Sequence, residues 1–193
     1  MPIVMPSLTG PDIVTASRIP LAFALAAVAP ARGATLWIFA IGCATDVIDG
    51  WWARRAGIES ARGARLDSVA DAVFFVAATY AVIVTVELTI VPAAAAAIAF
   101  VALTRIANMA ITKRRFGRFN VMHTDLNRAT GAALALAAGV GLATGALSTP
   151  AVLAVTAFAG LASVEELVLV SRAGTYDPDH RGVVRETLAR VVR

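Results

Sequence analysis

Asp46-Val47-Ile48-Asp49-Gly50-Trp51-Trp52-Ala53-Arg54, followed after eight residues by Gly63-Ala64-Arg65-Leu66-Asp67-Ser68-Val69-Ala70-Asp71, is the stretch on which the reading of this chain turns. It sets four carboxylates within 26 residues of a very apolar sequence. Asp46 and Asp49 are three apart and Asp67 and Asp71 four apart, so each pair shares one face of a helix. The midpoint of Asp49 and Asp67 is 58, and that of Asp46 and Asp71 is 58.5. An antiparallel helical hairpin turning near Gly57 and Ile58 would set Asp49 against Asp67 and Asp46 against Asp71. The symmetry predicts one cluster of four carboxylates rather than two pairs.

Four carboxylates in a poorly hydrated pocket cannot all stay anionic without a cation, because like charges at short range oppose one another's ionisation. An all-oxygen donor set favours a hard cation, Mg²⁺ or Mn²⁺, over zinc. Two ions held by shared carboxylates form a clamp suited to displacement at phosphorus. Gly50, Ala53 and Gly63 leave room for a ligand or a neighbouring backbone. Arg54 offers a forked cation for a phosphate. The bland alternative, a set of structural ion pairs between helices, runs against the rule that ionisable groups within a membrane are functional by default.

The pattern Asp-x2-Asp-Gly-x2-Ala-Arg-x8-Gly-x3-Asp-x3-Asp resembles the signature of the CDP-alcohol phosphotransferases, and all eight fixed positions are matched. The resemblance implies a six-helix membrane bundle and a metal-dependent transfer in phospholipid biosynthesis. A phosphatidyl group passes from CDP-diacylglycerol to the hydroxyl of a small alcohol, and CMP leaves. It implies that Asp46, Asp49 and Asp67 are metal ligands. Asp71 completes the metal-ligating set for the two Mg²⁺ or Mn²⁺ ions and is also the base for the acceptor hydroxyl. Gly50, Ala53, Arg54 and Gly63 line the CDP pocket. It also implies a homodimer.

Composition agrees with a membrane protein. The chain has 193 residues, 59% of them hydrophobic, and a mean hydropathy of +0.76. The length suggests a single domain, 1–193. The net charge of +4 is small, and nothing points to nucleic acid. Cys43 is the only cysteine, which rules out an intrachain disulfide; it reads as a packed thiol on the Asp46 helix. The first eleven residues carry no Lys or Arg, so no cleavable signal peptide is expected.

Six apolar segments approach the length of a bilayer span, roughly 12–30, 34–54, 66–88, 90–112, 126–145 and 150–171. Pro20 should kink the first or break its opening turn. Basic residues mark one side. They are Arg55, Arg62 and Arg65, then Lys113, Arg114, Arg115 and Arg118, then a tail with Arg172, Arg181, Arg185, Arg190 and Arg193. The other side has Arg32, Glu87 and no charge between Gly145 and Pro150. The positive-inside rule predicts a multi-pass protein, as in a bacterial cell membrane, with both termini cytoplasmic. The aspartates then sit just inside the cytoplasmic ends of their helices, in an intramembrane active-site cavity facing the cytoplasm. A nucleotide would enter from there and a lipid tail from the inner leaflet.

Other residues carry two readings each. Trp51 and Trp52 read as interfacial belt residues rather than cytosine stackers. Arg105 either snorkels to the membrane edge or binds an acceptor phosphate. Lys113–Arg118 suits anionic lipid headgroups, and His123 suits a surface or capping role. At least one of Glu165 and Glu166 should face the interior, pairing with an Arg or touching the acceptor. The acceptor is read as glycerol 3-phosphate first, with inositol phosphate or another polyol as the alternative. Two competing classes are a prenyltransferase, whose acidic motifs lie far apart, and a divalent-cation transporter, whose acids should reach both faces. A catalytically silent partner subunit fits poorly with an intact motif.

Overall fold

The computed structural model describes residues 9–57, 60–117, 124–172 and Gly182. The elements run α1 (Gly10–Val28), α2 (Arg32–Ala56), α3 (Ala61–Thr85), β1 (Glu87–Leu88), α4 (Pro92–Phe116), α5 (Asp125–Thr144), β2 (Ala146–Leu147) and α6 (Thr149–Arg172). Among the described residues six helices are long and apolar enough to cross a membrane, one for each segment expected from hydropathy. Arg118, His123 and the tail arginines beyond Arg172 lie outside the described residues.

Local chemistry sets the helix ends. Asp12 accepts from the Thr9 N–H at 3.0 Å, fixing the start of α1. The buried Thr35 hydroxyl sits within 3.1 Å of the carbonyls of Val28, Ala29 and Ala31, tying the α1–α2 turn. Gly57, at φ 63°, closes α2 in the left-handed conformation that glycine adopts without strain. Ser60 caps α3, its hydroxyl accepting from the Gly63 N–H at 3.0 Å. Pro92 opens α4, and Lys113, Arg114 and Arg115 fill its last turn, where cations complement the helix dipole. The expected break at Pro20 does not occur, and α1 runs through it. The proline ring is exposed, and the missing N–H removes one helix bond, a loss that membrane helices tolerate.

The chain forms two compact units, Met1–Glu87 with Ala138–Ala146, and Leu88–Ala137 with Leu147–Arg193. In the first, α1 packs extensively along both α2 and α3, which meet each other far less. Ala70, Phe74, Ala77, Ala78 and Ala81 form the buried stripe of α3. Phe74 stacks on Phe39 of α2 with ring centroids 6.1 Å apart. Gly42 makes room for this, since a Cβ there would fall 2.1 Å from the Phe74 ring. In the second unit α4 packs on α6. Thr104, Asn108 and Thr112, four residues apart, are the buried polar positions of α4, and the Asn108 amide donates to the Ser163 carbonyl of α6 at 2.9 Å. Large apolar side chains such as Trp37, Phe75, Ile83, Phe100 and Leu161 are exposed in both units. Small residues inside and large ones outside is the arrangement of a bundle solvated by lipid.

Candidate active site

Three helices of the first unit build the site. Asp46 and Asp49 project from α2, one turn apart, and Asp67 and Asp71 from α3. The carboxylate oxygens of Asp46, Asp49 and Asp67 lie within 4.8 Å of one another. The four acids differ in exposure. The Asp49 side chain is 5% exposed, whereas Asp46, Asp67 and Asp71 are each close to half exposed.

Convergence at one point was expected, but its means was not. The hairpin was expected to set the acids face to face across an α2–α3 seam. Asp49 and Asp67 do come within 4.8 Å of each other, and α1, packed on both helices, adds a focus the sequence did not show. The Arg18 guanidinium, 1% exposed, reaches Asp49 Oδ2 at 2.7 Å through Nη2, and Asp46 Oδ1 and Asp67 Oδ1 at 3.3 Å each through Nη1. Nη1 also contacts Asp71 Oδ1. One turn earlier, Thr15 Oγ1 donates to Asp49 Oδ2 at 2.6 Å. In the sequence Arg18 shows only as a charge inside the first apolar segment, and Thr15 gives no signal. With Asp12 they recur at three-residue spacing, a polar stripe on an apolar helix.

A cleft of about 760 Å³ opens beside the cluster. Its lining includes Asp46, Asp49, Gly50, Ala53, Arg54, Gly63 and Asp67 from the expected set, joined by Thr9, Pro11, Asp12, Thr15 and Ser60. Asp71 touches Arg18 but is not part of this lining or of the close trio. Gly63 is needed where it is, because a Cβ would stand 3.1 Å from Asp12 Oδ1. At Gly50 a Cβ would meet the Arg54 guanidinium at 3.1 Å, so the glycine lets that side chain fold back over its own helix. Neither tryptophan lines the cleft. Trp52 packs against the backbone of Gly10, and Trp51 lies beneath the Arg55 guanidinium, 5.4 Å from the ring centroid.

Arg105 belongs to the second unit. Its Nη1 pairs with Glu166 Oε2 at 3.0 Å and its Nη2 donates to Asn127 Oδ1 at 2.7 Å. The Asn127 amide donates to the same Glu166 oxygen at 3.2 Å. Glu166, 1% exposed, is thus the inward-facing glutamate, held by an arginine. Asn127 had been missed, since an amide near a helix start gives no signal by itself.

The donor set suits a divalent metal. Three carboxylates offer hard oxygens at a separation close to what one small ion spans, and the cluster already holds a cation. No curated protein and no solved structure matches the chain. The family profile of the CDP-alcohol phosphatidyltransferases matches residues 8–170, which takes in α1 to α5, all but the last two residues of α6, and the whole carboxylate cluster. This family comprises membrane transferases that use a divalent metal to move a substituted phosphate group from a CDP-alcohol to an alcohol in phospholipid synthesis. With most of its length matched, the chain belongs to the CDP-alcohol phosphatidyltransferase family.

Proposed function

We propose that this protein transfers the phosphatidyl group of CDP-diacylglycerol to the hydroxyl of a small phosphorylated polyol, glycerol 3-phosphate first. The observation that carries this reading is the trio Asp46, Asp49 and Asp67, with oxygens within 4.8 Å beside a cleft walled by Gly50, Ala53 and Gly63. In the reaction the acceptor oxygen bonds to the lipid-side phosphorus, the bond from that phosphorus to the CMP oxygen breaks, and the acceptor proton goes to a base.

Two bound Mg²⁺ or Mn²⁺ ions would neutralise the pyrophosphate and make its phosphorus more electrophilic. Asp46, Asp49 and Asp67 would hold them. Gly50 and Gly63 on the cleft wall would keep room for the pyrophosphate beside them, and the Arg54 fork would meet a phosphate oxygen pair. Asp71, outside the close trio, takes the proton. Arg105 spends two of its five N–H groups on Glu166 and Asn127, which leaves donors for the acceptor's phosphate.

We read 1–193 as one domain, supported by a single family match running through both units. The cleft is read as opening to the cytoplasm, on the side of the basic loops, within a homodimer as the family resemblance implies. The test is reconstitution into liposomes with radiolabelled CDP-diacylglycerol, Mn²⁺ or Mg²⁺, and a panel of acceptors. CMP should appear only when metal and acceptor are both present, most rapidly with glycerol 3-phosphate. Equal rates with unphosphorylated alcohols would reject the acceptor. Metal flux into sealed vesicles without CMP release would favour a transporter.

A further inference from the structure

We propose that Arg18 is the resident counter-cation of the carboxylate cluster, holding the place of a divalent ion and withdrawing when one binds. The proposal rests on the reading of Asp46, Asp49 and Asp67 as metal ligands and concerns the residue that competes for them.

Geometry carries it. One guanidinium contacts all four carboxylates and is itself 1% exposed. An octahedral Mg²⁺ bound at about 2.1 Å spaces its oxygen ligands at most about 4.2 Å apart. The trio lies within 4.8 Å, so its oxygens are spread at most slightly wider than one ion needs. The guanidinium, with Nη2 2.7 Å from Asp49 and Nη1 3.3 Å from Asp46 and from Asp67, fills the space an ion on those oxygens would occupy. Both cannot be there together.

Charge gives the arrangement its use. Four carboxylates without a cation would repel one another and push α2 and α3 apart. Arg18 keeps them gathered. Yet one positive charge against four negative leaves the cluster anionic, so it still attracts a divalent ion. The guanidinium is also lightly tethered. Apart from the acids, its hydrogen-bond partner among the described residues is Thr45 Oγ1, 3.5 Å from Nε, at the limit of a hydrogen bond. A long side chain held mainly by the charges it neutralises is free to leave once an ion takes over that task. The cost of displacing it is a weakened apparent metal affinity; the gain is a site assembled before metal arrives.

The experiment uses EDTA-stripped wild type, Arg18→Gln, Arg18→Lys and Asp49→Asn in detergent. Mn²⁺ binding is measured by calorimetry, and thermal unfolding is followed in EDTA and in saturating Mn²⁺. Arg18→Gln should bind Mn²⁺ about tenfold more tightly, a change of about 1.4 kcal/mol. Its unfolding midpoint should fall in EDTA and recover with Mn²⁺ by more than that of wild type. Arg18→Lys, which keeps the charge but not the fork, should bind Mn²⁺ with intermediate affinity; it carries the test if the glutamine variant does not fold. Equal or weaker Mn²⁺ binding by the folded Arg18 variants would overturn the proposal while leaving the metal site intact. Wild type that binds no more Mn²⁺ than Asp49→Asn would instead remove the metal reading itself.

Discussion

Thr15 Oγ1 on α1 lies 2.6 Å from Asp49 Oδ2 on α2, and the same hydroxyl is 3.0 Å from the Pro11 carbonyl. A hydroxyl has one proton to give, and the ionised acceptor at the shorter distance holds it more strongly. Thr15 therefore orients the most buried acid of the cluster. Outer partners of ligating carboxylates typically contribute about 10- to 100-fold in metal affinity. Thr15→Val, nearly the same shape, should weaken Mn²⁺ binding about tenfold, while Thr15→Ser should stay near wild type. Calorimetric titration of the two variants decides it, and equal binding by both would remove the positioning role.

The trio and Asp71 should separate functionally. Asp49→Asn, inside the trio, should lose metal-dependent binding of a CDP-lipid analogue. Asp71→Asn should retain that binding at somewhat reduced affinity and lose nearly all CMP release. If both variants lose binding alike, the quartet acts as one metal cage. Near wild-type turnover by Asp71→Asn would show that it is not the base.

Arg105→Ala takes the cation away from the buried Glu166 and leaves it the neutral Asn127 amide. Breaking a buried pair from one side costs about 3 kcal/mol, the lower end of the usual range, because Arg105 keeps 29% exposure. Arg105→Ala combined with Glu166→Gln should regain most of that stability. In this double variant the KM for glycerol 3-phosphate should still rise, with the KM for CDP-diacylglycerol unchanged. An unchanged acceptor KM would leave Arg105 as a purely structural partner of Glu166.

Gly42→Ala would drive a methyl group into the Phe74 ring, which is held by stacking on Phe39. Overpacking of this kind costs about 1–3 kcal/mol. The unfolding midpoint should fall, and Gly42→Ala with Phe74→Leu should recover part of the loss. Additive losses in the pair would rule out the clash as the cause.

Sidedness can be read from introduced thiols in a Cys43→Ser background. Ala56 and Ser148 are both exposed. A cysteine at 56 should react with an impermeant maleimide only from the cytoplasmic face, and one at 148 only from the opposite face. Labelling of both from one face would contradict the six-span topology.

Much of this protein was legible before its structure. Spans are set by hydropathy over windows of about 20 residues, so all six appeared, with errors only at their ends. The third was expected from 66 and begins at Ala61, because Ser60 caps it. Asp46, Asp49, Asp67 and Asp71 were legible because fixed spacing on two adjoining helices constrains where they meet. Arg18 and Thr15 were not, since the nearest of the four acids, Asp46, is 28 positions from Arg18 and no helical period links them. The Arg105–Glu166 pair was half legible. A buried glutamate called for a cation, but which one depends on how α4 packs against α6.

The place of Arg18 on the first helix also bears on how the protein is made. Inserting an aspartate costs about 2.5–3.5 kcal/mol at the middle of a membrane helix and less towards its ends, and α2 and α3 bring two each. Synthesis runs from the N-terminus, so α1 leaves the ribosome before either of them. Each acidic helix then enters a bilayer that already contains its neutralising partner. A chimaera that keeps the 26-residue signature but takes its first helix from a protein lacking a basic residue at this depth would meet its difficulty at the translocon, before catalysis is ever at issue.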